Sequence, residues 1–137
     1  MNLEEGYVDE EMEPDPELNR ITNAIIGVAI AVHRVLGPGH LESAYEKALA
    51  IEFTYRGIRF QQQVPVTLSY RGEVVGEGRL DFLLEGRVVL DLKAVSTILD
   101  VFRTQMISYL KITKLKLGII LNFNVPLLRQ GIARIAN

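Results

Sequence analysis

Leu80-Asp81-Phe82-Leu83-Leu84-Glu85-Gly86-Arg87-Val88-Val89-Leu90-Asp91-Leu92-Lys93 is the stretch on which the fold of this chain turns. Two apolar segments flank Glu85-Gly86, the pattern of two strands joined by a turn. A run as apolar as Val88-Val89-Leu90 has no packing reason to end in a carboxylate and an amine, so Asp91 and Lys93 are candidate functional groups. Side chains alternate along a strand, which puts Asp91 and Lys93 on one face and Val88, Leu90 and Leu92 on the other. The same alternation places Arg79 and Asp81 together, opposite Leu80, Phe82 and Leu84. Register then decides the chemistry. A two-residue loop pairs Leu84 with Arg87 and sends Asp81 and Asp91 to different faces. A three-residue loop, with Gly86 in the left-handed conformation, pairs Leu84 with Val88 and sets Asp81 opposite Asp91. In the second register two carboxylates stand near a lysine, a donor set that suits Mg²⁺; in the first they are unrelated surface acids.

Outward from these strands the periodicity supplies the other elements. Ile21, Ile25, Val28, Val32 and Val35 recur at helical spacing after Leu18 until Gly37-Pro38-Gly39 stops them. A second helix starts near Leu41, runs through Ala44, Ala48 and Ile51, and ends at Gly57. Residues 58–70 read as a strand in which Pro65 demands a bulge or an edge position, and Tyr70-Arg71-Gly72-Glu73 is a turn. Strands over 74–84 and 88–95 follow, then a helix over 99–111, a buried strand over 117–122 and a short terminal segment around 132–135. The order α-α-β-β-β-α-β predicts an α+β domain of three layers, a mixed sheet with helices on both faces.

Composition bounds the function. The chain has 137 residues, 48% hydrophobic and 23% charged, with no cysteine. That length holds a core without staples, and disulfides and zinc-thiolate sites are excluded. The longest run of apolar and glycine residues, Ala24 to Val32, is far short of the roughly 20 needed to cross a bilayer, so no membrane partner is expected. Eight acids and no base lie in residues 1–19, the reverse of a secretory signal, which predicts a cytoplasmic protein. The remainder carries 15 bases against nine acids. Residues 1–16, with Pro14 and Pro16 and no apolar period, are expected to form a disordered acidic tail, and residues 17–137 a single domain. On a basic body such a tail is a solubilising arm or a competitor for a polyanion.

Few other groups offer chemistry. His33 and His40 read as surface or capping residues, and Gly76-x-Gly78 has no following helix to make a phosphate loop. Glu42 and Tyr45 lie three apart on the second helix, and Gln105 and Tyr109 four apart on the third, so each pair shares a face. Glu42 also suits a first helical turn on dipole grounds alone. Lys111, Lys114 and Lys116 cluster after the third helix; together with Arg79 they are candidate phosphate contacts, or simply a solvated surface. No base-reading element is recognisable.

Gly39-His40-Leu41-Glu42-Ser43-Ala44-Tyr45 resembles the G-x-x-E-x-x-Y signature of the GxxExxY proteins, a family of the PD-(D/E)XK nuclease superfamily. The resemblance extends from about residue 20 to 137 through Val64-Pro65-Val66, Asp91-Leu92-Lys93-Ala94, Gln105-Met106-Ile107-Ser108-Tyr109-Leu110-Lys111, Leu121-Asn122-Phe123 and Gly131-Ile132. RecB-type nucleases of that superfamily pair an acid-x-Lys strand with a Q-x-x-x-Y helix, similar to Gln105 and Tyr109. The resemblance implies a restriction-endonuclease-like core and a nuclease that hydrolyses DNA in repair, turnover or defence. It implies that Asp81 and Asp91 ligate Mg²⁺ or Mn²⁺, with the Leu92 carbonyl as a further oxygen and Glu42 reaching the metal directly or through water. Lys93 would position the attacking water, and Gln105 and Tyr109 would shape the site; Tyr45, Arg79, Lys111, Lys114 and Lys116 would contact substrate. Asp91 stands where glutamate is commoner, a carboxylate shortened by one methylene. A homodimer is one way for so small a core to embrace a duplex. The rival reading is a scaffold that keeps nucleic-acid or protein binding and has lost catalysis.

Overall fold

The structure is a computed structural model that describes residues 15–137. The tail expected over residues 1–16 lies outside the described residues except for Asp15 and Pro16, which begin the first helix. The elements run α1 (Pro16–Leu36), α2 (Glu42–Tyr55), β1 (Phe60–Tyr70), β2 (Glu73–Leu84), β3 (Val88–Lys93), α3 (Asp100–Thr113), β4 (Leu117–Asn122) and β5 (Ile132–Ala136), with a 3-10 turn at Leu128–Gly131.

Local chemistry sets the bounds of α1. The Asp15 carboxylate accepts the Glu17 N–H at 2.9 Å, and Pro16 occupies the first turn, where its missing N–H costs nothing. At the other end Gly37 takes φ 68° and donates its N–H to the His33 carbonyl at 2.7 Å. Asp15 also pairs with Arg87 at 2.7 Å, tying the β2–β3 loop to the start of the helix.

The sheet has the strand order β1-β2-β3-β4-β5, with β3 and β4 parallel and every other neighbouring pair antiparallel. Connecting two parallel strands requires a crossover, and α3 supplies it. Pro65 lies on β1, an edge strand, where its missing donor is tolerated. The segment after residue 131, expected only as a short terminal piece, is a fifth strand that pairs antiparallel with β4 and closes the other edge.

Helices cover both faces. On one, Ile21, Ile25 and Val28 of α1 and Leu49 and Phe53 of α2 bury Phe82, Leu84, Leu90, Leu92, Ile119 and Leu121. On the other, Met106 and Leu110 of α3 cover Val66, Leu80, Val89, Ile120 and Ile135. Central β4 is buried along its whole length, which explains its uninterrupted apolar run. Among the described residues no helix is long and apolar enough to cross a membrane.

The decisive loop is the three-residue alternative. Leu84 pairs with Val88 and Phe82 with Leu90, while Glu85 and Gly86 both take positive φ, 52° and 67°. One expectation about β2 fails. Leu80 joins the α3-side core whereas Phe82 and Leu84 face α1 and α2, so alternation does not carry through Asp81. The matching position on β1 is Gln63, at φ 52°, and the β1–β2 ladder has no pair there between Gln62↔Phe82 and Val64↔Leu80. The hairpin changes face at this point, and the shared face inferred for Arg79 and Asp81 does not hold as a consequence of alternation.

Candidate functional site

The register brings Asp81 and Asp91 together where β2 and β3 part. The ladder ends at Phe82↔Leu90, and the next N–H of β3 that faces β2, that of Leu92, donates to Asp81 Oδ2 at 2.8 Å. Asp81 Oδ1 accepts from the Gln63 amide at 3.3 Å, so backbone and side chain fix both oxygens. A strand residue turns its N–H and C=O to the same side, so the Leu92 carbonyl also faces Asp81, while the Lys93 carbonyl accepts from Phe123 on the β4 side.

Asp91 is buried, its side chain 12% exposed, and hydrogen-bonds Asp81. Burial, then the neighbouring Asp81 carboxylate, push its carboxyl up to about 7 against the opposing pull of Lys93. Asp91 is therefore the carboxyl that holds a proton up to near neutrality, hydrogen-bonded to Asp81. Lys93 Nζ stands 3.2 Å from Asp91 Oδ2 and 4.7 Å above the centre of the Phe102 ring, an ammonium held between a carboxylate and an aromatic face. Tyr109 closes the same side. Its hydroxyl is pushed above the usual phenol range by burial and by the negative charge of Asp91, which keeps it a hydrogen-bond donor.

Glu42 reaches this end of the sheet from the first turn of α2, accepting the Ala94 N–H at 3.3 Å while remaining exposed. Gln105 lies on α3 between Phe102 and Tyr109 and is exposed. Asn122 ends β4 beside Lys93 and clamps the loop that follows β3, taking the Val95 N–H at 3.1 Å and donating to its carbonyl at 2.9 Å.

Three residues of this network, Gln62, Gln63 and Glu46, escape sequence reading. The Gln63 side-chain amide donates to Glu46 at 2.7 Å as well as to Asp81, using both of its hydrogens to bridge two carboxylates. Gln62 adds a second donor to Glu46 at 3.2 Å. The available signal was the four-residue spacing of Glu42 and Glu46 on one helix face; the role of Gln63 depends on the hairpin register and on its positive φ.

Other expected contacts lie elsewhere. Tyr45 is fully buried, stacked on Phe123 at 4.4 Å, and its hydroxyl donates to the Gly37 carbonyl at 2.6 Å and accepts the His40 N–H at 3.2 Å. It fastens the turn between α1 and α2 and cannot touch substrate. Tyr45→Phe is expected to cost about 1–2 kcal/mol in denaturant unfolding and to leave nucleic-acid binding unchanged. Lys114 and Lys116 precede β4, at the end where Val88 pairs with Leu117, roughly 20 Å of strand from Lys93. Sequence proximity to α3 misplaced them, because the helix runs back along the sheet before β4 begins. Lys111 lies exposed in the last turn of α3, and Arg79 is exposed on β2, its backbone amide beside the Tyr109 hydroxyl. His33 is buried against the Phe123 and Val125 carbonyls, at 3.2 and 2.9 Å, and His40 holds the Leu36 carbonyl at 2.8 Å; both are structural.

The donor set is two hydrogen-bonded carboxylates with a backbone carbonyl beside them and a third acid nearby, all hard oxygen ligands suited to Mg²⁺ or Mn²⁺. Among the described residues no three His, Cys, Asp or Glu side chains converge as a metal-holding group. A family model described as the PD-(D/E)XK nuclease superfamily matches residues 19–135. No curated protein matches the chain.

Proposed function

The chain belongs to the PD-(D/E)XK nuclease superfamily, and from that premise we propose that it is a GxxExxY-type, divalent-metal-dependent nuclease that hydrolyses phosphodiester bonds of DNA. The observation that carries the reading is the geometry at the end of the central strands, where Asp81 accepts the Leu92 N–H at 2.8 Å beside the buried Asp91 and Lys93 Nζ stands 3.2 Å from Asp91. Two adjacent carboxylates, one of them buried, offer hard oxygen donors to a divalent cation.

Asp81 and Asp91 would hold Mg²⁺ or Mn²⁺, with the Leu92 carbonyl and Glu42 as further oxygen donors. The ion supplies Lewis-acid stabilisation of charge on the phosphate being cut. Asp81 is prevented from rotating by the Leu92 N–H and Gln63, so its free lone pairs face Asp91. Lys93, restrained by Asp91 and Phe102, points its N–H groups at the attacking water or a phosphate oxygen and stabilises the charge that develops. Tyr109 stays neutral and donates a hydrogen bond to the substrate backbone, and Gln105 offers a second polar contact from the same helix face.

Cation binding must expel the proton that Asp91 holds below about pH 7. Calorimetric titration of Mn²⁺ into the metal-free protein, repeated in buffers of different ionisation enthalpy, is expected to show release approaching one proton per ion near pH 5.5 and little release at pH 8. Affinity should rise as pH increases through about 7. Binding with no proton release at pH 5.5, or tighter binding at pH 5.5 than at 8, would remove the carboxylate pair as the cation site.

A further inference from the structure

Gly76 and Gly78 sit two residues apart inside β2, where glycine weakens a strand, and neither has the positive φ that would call for it. Contact explains only one of them. A Cβ on Gly78 would strike the Tyr109 hydroxyl, whereas a Cβ on Gly76 would meet nothing closer than Leu68 at 3.8 Å, an ordinary contact. What the absent side chains leave is a groove of about 150 Å³ between the hairpin and α3, floored by the two glycines and walled by Val66, Leu68, Tyr109 and Ile112. Ser108 adds a hydroxyl to the lining, while Glu77 borders it through its backbone, its side chain alternating to the opposite face from Gly76 and Gly78. The groove adjoins the carboxylate site, because Tyr109 is a wall of the one and lies within the electrostatic reach of Asp91, Lys93 and Asp81 in the other.

Resting on the reading of the chain as a DNA nuclease, we propose that this groove takes one unstacked nucleobase of the strand being cut, next to the phosphate held at Asp81 and Asp91. The volume is that of a cavity that accepts one aromatic ring and is too small for a whole nucleotide. Aliphatic walls and the Tyr109 ring suit the faces of a base, and Ser108 offers a hydroxyl to its edge. A base inside an intact duplex is stacked on both sides and must be extruded to enter, at a cost that single-stranded or frayed DNA does not carry. The groove therefore selects unpaired DNA, by a contact that accepts any base.

Gly76→Val is the clean test, since valine suits a strand and fills the groove without reaching Tyr109. The folded variant should melt no lower than the wild type, with KM for a single-stranded oligodeoxynucleotide raised about tenfold and kcat within threefold. Its preference for single strand over duplex should disappear. Wild type assayed on a strand lacking the base beside the cut bond should show the same rise in KM, and the variant no additional rise on that strand. Unchanged KM and strand preference in Gly76→Val, or indifference of the wild type to the missing base, overturns the groove and leaves the nuclease reading standing. Failure of the wild type to bind or cut either form of DNA defeats the nuclease reading, and the groove proposal falls with it.

Discussion

Lys93→Ala is expected to slow single-turnover DNA cleavage by two to three orders of magnitude while leaving Mn²⁺ affinity within about threefold of the wild type. The ammonium is only 18% exposed and is fixed on one side by Asp91 at 3.2 Å and on another by the Phe102 ring at 4.7 Å. A charge held so firmly needs no reorganisation as charge develops on the phosphate, and alanine leaves a void that water fills with far weaker orientation. Lys93→Arg should restore less than a tenth of the rate, because a planar guanidinium cannot occupy the gap between carboxylate and ring on the same axis as the compact ammonium. A loss below tenfold in Lys93→Ala would place Lys93 outside the chemistry.

Asp91→Asn should abolish cleavage, by more than a thousandfold, and at the same time stabilise the metal-free protein above neutral pH. The two effects share one cause. Burial and Asp81 raise the Asp91 carboxyl to about 7, well above its value in an unfolded chain, so folding favours the protonated form. The associated stability is fully present below about pH 4 and is lost as pH rises through about 7, a decline on the order of 2 kcal/mol between pH 5 and 8. Asparagine is neutral at every pH and still donates to Asp81, so the variant should lack this decline. Saturating Mn²⁺ should recover the lost stability in the wild type alone. Urea unfolding at pH 5 and 8, with and without Mn²⁺, reads all four quantities, and parallel pH profiles for the two proteins would contradict the raised Asp91 carboxyl.

The strands that build the centre of the molecule were legible because their signals are local. Gly86 could serve a three-residue loop, and that loop alone aligns Asp81 with Asp91; the pattern around Leu117–Asn122 gave both the strand and its burial. What stayed hidden depends on contacts distant in sequence. Leu80 follows the alternation of β2 locally, yet it faces α3 because the hairpin changes face at Gln63 and Asp81, a break with no compositional mark. Tyr45 and Glu46 are adjacent on α2, and only the packing of the helix on Phe123 decides that the tyrosine turns inward while the glutamate reaches the site through Gln63. Lys114 and Lys116 looked like part of a phosphate-binding cluster because α3 ends next to them in sequence, whereas the crossover carries them to the far end of the sheet. The placement of Asp81, Asp91 and Lys93 was therefore readable one strand at a time, and their surroundings were not.

The most direct measurement is cleavage of labelled single- and double-stranded DNA by the full chain with Mg²⁺, with Mn²⁺ and with chelator, alongside Lys93→Ala. The expected result is metal-dependent cleavage, favouring the single strand, that chelator stops and the substitution nearly eliminates. DNA left intact under every condition, with binding retained, would contradict it and identify a scaffold that holds nucleic acid without cutting it.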